Sequence, residues 1–150
     1  MANAVPDLWP DEVANVDMLT PLAILRIQAG QLQKKTKGLV EAEIDPEPDQ
    51  EAEHYYFDII APALNRYRYR LLHVFHKRDQ VYPVYVEDLT GRCATQEEFV
   101  RALSDIFSSS NTRSVISSII AQSNEKRAQA TQPKSDGLPP PAPYSQLENT

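Results

Sequence analysis

Residues 55–76 read Tyr55-Tyr-Phe-Asp-Ile-Ile-Ala-Pro-Ala-Leu-Asn-Arg-Tyr-Arg-Tyr-Arg-Leu-Leu-His-Val-Phe-His76, and this stretch decides the fold. Two runs of aromatic and β-branched residues flank Ala61–Asn65, a connector that contains Pro62. In the second run arginine and tyrosine alternate from Arg66 to Arg70, the period of a strand and not of a helix. So short a connector joins antiparallel neighbours. The stretch reads as a hairpin with strands over 55–60 and 66–76.

The same period extends outward on both sides. Leu39–Asp45 alternates Val40, Ala42 and Ile44 with Glu41 and Glu43, and an acidic loop with Pro46 and Pro48 follows it. Val81–Asp88 comes after the short connector Lys77–Gln80, and Pro83 within it suits an edge strand, where a missing N–H donor is tolerated. Helical spacing takes over elsewhere. Thr20 and Pro21 start a helix with Leu22, Leu25, Ala29 and Leu32 on its stripe, widened by Ile24 and Ile27, and Gly38 ends it. Thr95-Gln-Glu-Glu98 is a capping box ahead of Phe99, Ala102, Leu103, Ile106 and Phe107, and Val115–Ile120 mark one more helix. The expected fold class is α+β: an N-terminal helix, a four-stranded antiparallel meander sheet, and two C-terminal helices packed on the sheet.

Residues 1–17 read as an extended arm, with Leu8 and Trp9 as possible anchors, and 18–125 as a single α+β domain. Residues 126–150 hold Pro139-Pro-Pro-Ala-Pro143 and little apolar surface, which predicts a disordered, proline-rich tail. Pro140–Pro143 forms a bare P-x-x-P, and Tyr144-Ser-Gln-Leu147 resembles a short sorting peptide; both patterns are common by chance.

If Ala61–Asn65 is the first loop, Asp58 faces Arg68 and Tyr56 faces Arg70. If Lys77–Gln80 is the second, Glu87 lies beside Arg70. Opposite charges then gather on one face, and apolar pairs such as Phe57 with Tyr69 on the other. Glu41 and Glu43 join the charged face, which leaves few arginines uncompensated. The same register places Leu72, Val74, Pro83 and Tyr85 together at the edge of that open face, as a candidate protein-binding patch unless a helix covers it.

The chain has 150 residues, with 15 Lys+Arg against 21 Asp+Glu and a net charge of −6. This balance argues against general affinity for nucleic acid or anionic membranes. No apolar run approaches the roughly 18 residues of a membrane span. The single cysteine, Cys93, excludes an internal disulfide and a cysteine-rich zinc site, and fits a reducing compartment. The opening residues lack a basic segment followed by an apolar run, so no secretory leader is expected and the expected compartment is the cytoplasm.

Chemistry is sparse. His73 is expected to point into the core, and His54 and His76 outward. His54 with Glu43 supplies too few ligands for a metal. Cys93 precedes a helix start, which lowers a thiol pKa, but nothing local supplies a base. The acidic loop at 45–53 lacks calcium-loop spacing, and there is no glycine-rich phosphate loop. No catalytic residue, metal or cofactor is expected. The expected function is a small acidic, non-enzymatic interaction module, acting through its edge strand and open face on a protein partner or a second copy. The alternative is single-stranded nucleic-acid binding through Arg66, Arg68, Arg70 and Tyr56, where stacking and cations would combine.

Overall fold

The computed structural model describes residues 4–87 and 91–131. After a short 3-10 turn at Asp11–Ala14 come α1 (Pro21–Lys35), β1 (Glu41–Pro46), β2 (Ala52–Ala61), β3 (Tyr67–Lys77), β4 (Gln80–Val86), β5 (Arg92–Cys93), α2 (Gln96–Ser108) and α3 (Ser110–Thr131). The class is α+β as the periodicity indicates, but the antiparallel sheet has five strands in the order β1-β2-β3-β4-β5. β5 is only two residues long, too short to leave a periodic signal. It pairs with Val84 and Tyr85, so β4 is not the edge expected from Pro83.

Local chemistry sets the helix ends. The Thr20 hydroxyl accepts from the Ala23 N–H at 3.1 Å, and Pro21 occupies the first turn. Past the end of α1, Gly38 sits at φ +82° and its N–H donates to the Gln33 carbonyl at 2.9 Å, which favours glycine there. Ile24 and Leu25 are buried with Leu22, Ala29 and Leu32 against them, whereas Ile27 lies exposed and does not widen the stripe. On α2 the Thr95 hydroxyl accepts from the Glu98 N–H at 3.1 Å. The Glu98 carboxylate reaches back one residue further than a capping box requires, accepting from the Ala94 N–H at 2.8 Å.

α3 runs through Thr131, past residue 125, where the folded part was expected to stop. The proline-rich segment from 132, with Pro140–Pro143 and Tyr144–Leu147, lies outside the described residues, as does Asp88.

One face of the sheet meets the helices. Val40, Phe57, Ile59, Leu72, Val74, Val84 and Val86 form a core with Ile24 and Leu25 of α1, Phe99 and Leu103 of α2 and Ile119 of α3. The rings of Phe57 and Phe107 lie 5.6 Å apart across the sheet and α2.

Two irregularities change the register. The first turn is a 3-10 turn at Pro62–Leu64 followed by Asn65 and Arg66, both at positive φ. It uses Arg66, so Ala61 pairs with Tyr67 and Asp58 with Arg70, not with Arg68. A β-bulge follows: Asp58 pairs with Arg70 but Phe57 pairs with Leu72, leaving Leu71 as the extra residue. An extra residue reverses the facing of everything beyond it. Leu72 and Val74 therefore turn to the helix-covered core, at 6% and 0% exposure, and are not part of an open patch. His73 turns to the open face, and His76 is buried, the reverse of the expected placement.

In the second turn Lys77 pairs with Gln80 as expected, but His76 pairs with Val84. Val81–Pro83 thus bulges out of the ladder, and this is what accommodates Pro83, a residue with no N–H to donate. Glu87 consequently lies away from Arg70, with its N–H donating to the His73 carbonyl at 2.9 Å.

Candidate functional site on the open sheet face

The face opposite the helices carries two adjoining arrays. The first is ionic. Asp58, in the centre of β2, accepts from Arg68 Nη1 at 2.6 Å and from Arg70 Nε at 2.9 Å and Nη2 at 3.2 Å. Glu43 on β1 accepts from Arg66 Nη2 at 2.8 Å and Arg68 Nη2 at 2.7 Å, and Glu41 and Asp45 lie 3.9 and 4.0 Å from Arg66 and Arg70. Side chains thus bring Arg68 to Asp58 even though their backbones are not opposite.

Asp58 has 0% exposure because the long arginine stems lie across it. Burial raises its carboxyl pKa and is the largest single influence. Hydrogen bonds from Arg70 and Arg68, with their charges, outweigh it and hold the carboxyl below its ordinary value. The same bonds push both guanidinium groups further up.

The second array is a row of rings. Tyr56 stacks on His73 with centroids 4.3 Å apart, and His54 lies 5.1 Å from His73 and 5.3 Å from Phe75. Phe75 stacks on Tyr85 at 5.2 Å. The Arg70 guanidinium sits 4.1 Å above the Tyr56 ring and so joins the two arrays. A shallow cavity of about 690 Å³ opens at the end of the row, where Phe75 and Tyr85 meet Gln50, Lys77 and Arg78.

A hydrogen-bonded chain threads the row. His54 Nε2 lies 2.9 Å from Asp49 Oδ2, His54 Nδ1 lies 2.9 Å from His73 Nε2, and His73 Nδ1 lies 3.2 Å from Glu87 Oε1. Asp49 also accepts the N–H groups of Glu51 and Ala52 at 2.8 and 2.7 Å. Those two bonds, then His54, hold its carboxyl below the usual value. Asp49 thereby ties the acidic loop at 45–53 to the sheet, and Arg78 adds a bond to the Asp49 carbonyl and an ion pair with Glu53 at 2.8 Å.

Of the four residues expected in an open patch, Tyr85 is on this face, Pro83 is in the β4 bulge, and Leu72 and Val74 are in the core. Arg66, Arg68, Arg70 and Tyr56 are together, with each arginine already bonded to a carboxylate. Strict alternation does not place His73 and Phe75 on this face. The one sequence signal for the change is the doublet Leu71-Leu72, which breaks the alternation where the bulge occurs.

Glu43 serves the arginines and not His54, and among the described residues no group of three or more His, Cys, Asp or Glu is placed to hold a metal ion. Cys93 lies on β5, where burial, and then the charge of Glu98, push its thiol up, opposite to the lowering expected ahead of a helix.

The fold and this face define a small α+β domain with helices on one side of a meander and a ring-lined polar surface on the other. Comparison with protein-family models, curated proteins and solved structures finds no match. Among the described residues no helix is long and apolar enough to cross a membrane.

Proposed function

We propose that this chain is a non-enzymatic interaction module of the cytoplasm that binds a protein partner, or a second copy, through the open face of its sheet. The observation that carries this reading is the stacked row Tyr56, His73, His54, Phe75 and Tyr85 on the face opposite the helices. Partly exposed aromatic groups bordered by arginine match the composition of interface centres. The neighbouring charges already satisfy one another, so covering them leaves few unpaired groups. The docking residues are then Tyr85, Phe75, His73 and Tyr56, in place of Leu72 and Val74. The test compares proteins retained by the wild type, by Tyr85→Asp, and by Ala121→Asp, which alters an exposed site on α3. Loss of a bound protein, or of self-association in light scattering, with Tyr85→Asp alone supports the reading. Identical behaviour of all three overturns it.

A second reading, single-stranded nucleic-acid binding, is favoured by the Arg70 guanidinium stacked on Tyr56. Affinity for phosphates rests on counterion release by unpaired cations, and Arg66, Arg68 and Arg70 are all engaged by Glu43 or Asp58. Salt-dependent retention of an oligonucleotide, lost in Arg66→Ala/Arg68→Ala, would establish it in place of the first.

A further inference from the structure

The segment ahead of α1 carries most of the large apolar side chains that the described surface exposes. Leu8 and Trp9 are 78% and 71% exposed, and Val5, Val13, Val16 and Met18 are more than half exposed. The backbone is extended on either side of the 3-10 turn at Asp11–Ala14, so the apolar side chains are strung along an open arm. Between these residues stand Asp7, Asp11, Glu12 and Asp17, with no Lys or Arg from residue 4 to residue 20. Among the described residues, only the root of the arm is hydrogen-bonded to the domain. Tyr82 Oη donates to the Leu19 carbonyl at 2.8 Å, and the Leu19 N–H donates to Gln96 Oε1 at 2.9 Å.

A receptor of matching chemistry exists on the same chain. Between α1 and the sheet is a cleft of about 280 Å³ walled by Leu32, Phe57, Leu71, Phe107 and Ile116. A second cleft, of about 440 Å³, runs between α1 and α2 past Ile24, Val100 and Leu103. The two share Gln28, Lys35 and Phe107, so they form one groove with Lys35 on its rim. Lys34 and Lys37 flank Lys35 at the end of α1, and none of the three has a carboxylate within ion-pair distance among the described residues.

We infer that the acidic, apolar arm of one copy docks in the α1–α2 groove of a second copy, with Trp9 as the anchor and Lys34 and Lys35 facing its acids. Arm and groove belong to the same chain, so a reciprocal exchange closes a two-fold dimer. The surface is on the helix side and is separate from the ring-lined face, so either proposal stands without the other.

Trp9 is the single tryptophan, and its fluorescence reports on this contact directly. Sedimentation equilibrium of the full chain over the micromolar range should show a dimer, with Trp9 emission shifting to the blue as concentration rises. Trp9→Ser, at an exposed position that the monomer does not need, should weaken the dimer by roughly 30-fold or more, as removal of an interface anchor does. Lys34→Glu/Lys35→Glu should weaken it as well, and adding Asp11→Lys/Glu12→Lys to that variant should restore it. A monomer at every concentration overturns the inference. So does a dimer indifferent to Trp9→Ser, or a blue-shifted Trp9 in a monomer, which would place the arm on its own groove.

Discussion

His54 Nδ1 and His73 Nε2 face each other at 2.9 Å, while the other nitrogen of each ring faces a carboxylate. Three hydrogen bonds join Asp49, His54, His73 and Glu87, and they tie the acidic loop to β2, β3 and the residue that follows β4. Replacing His73 by Ala removes two of these bonds and should cost about 1–3 kcal/mol, at about 0.5–1.5 kcal/mol for each. It should also speed amide exchange at Glu51 and Ala52, whose N–H groups are held by Asp49.

Asp58 gives the fold a pH dependence whose sign follows from its surroundings. Arg70 and Arg68 hold its native carboxyl below the ordinary value despite burial. As pH falls, the unfolded chain therefore binds this proton first. Asp58 contributes its full stabilisation above about pH 4, near the unfolded value, and loses it as pH falls through the native value. Urea titrations should show stability dropping below about pH 4 in the wild type. Asp58→Asn should cost about 1.5–3 kcal/mol at neutral pH, the range for hydrogen bonds to a charged group, and should flatten that drop. Arg70→Ala should raise the Asp58 pKa, since burial would then be less opposed.

The bulge at Leu71 can be tested by substitution on either side of it. Leu72→Ala should cost about 2–5 kcal/mol, as for a buried leucine, and Leu72→Asp should prevent folding. Tyr85→Asp, on the open face, should leave the thermal midpoint near that of the wild type. A foldable Leu72→Asp would restore the uninterrupted register and remove the bulge.

These residues show where the sequence is readable and where it is not. Alternation from Arg66 to Arg70 identifies the strand and gathers the arginines with Glu41, Glu43 and Asp58, because within an unbroken ladder facing depends only on parity. The α1 and α2 caps were equally legible, since each rests on side chains within a few residues of the helix start. An extra residue costs little locally and inverts everything after it, so Leu72, His73, Val74 and His76 were misplaced by one event. The two-residue strand Arg92–Cys93 is set by tertiary pairing with β4 and has no period to detect. The ring row depends on the bulge, which is why His73 and Phe75 escaped the sequence reading while Tyr56, His54 and Tyr85 were expected on this face.

Cys93 should behave as an inert thiol. It is buried on β5, and burial with the nearby Glu98 charge pushes its pKa up, so little thiolate forms near neutrality. A colorimetric thiol reagent at pH 7.5 should react slowly with the native chain and rapidly after denaturation. Rapid labelling of the native chain would mean that β5 detaches from β4 readily.

Tyr82 controls the root of the N-terminal arm through a single donated hydrogen bond. Its hydroxyl donates to the Leu19 carbonyl at 2.8 Å, and burial, followed by the charge of Cys93, pushes the phenol above its usual value, so the donor persists well into alkaline solution. Tyr82→Phe removes the donor and keeps the ring. The expected cost is about 0.5–1.5 kcal/mol. The larger effect should be local: Leu19 keeps only its bond to Gln96, so limited proteolysis between residues 4 and 19 should accelerate while the domain itself stays resistant. Adding Gln96→Ala should accelerate cleavage further, because both ties on Leu19 are then gone. If arm exchange holds copies together, the double variant should also weaken the dimer, since a freely pivoting arm loses more freedom on docking than one already held at its base.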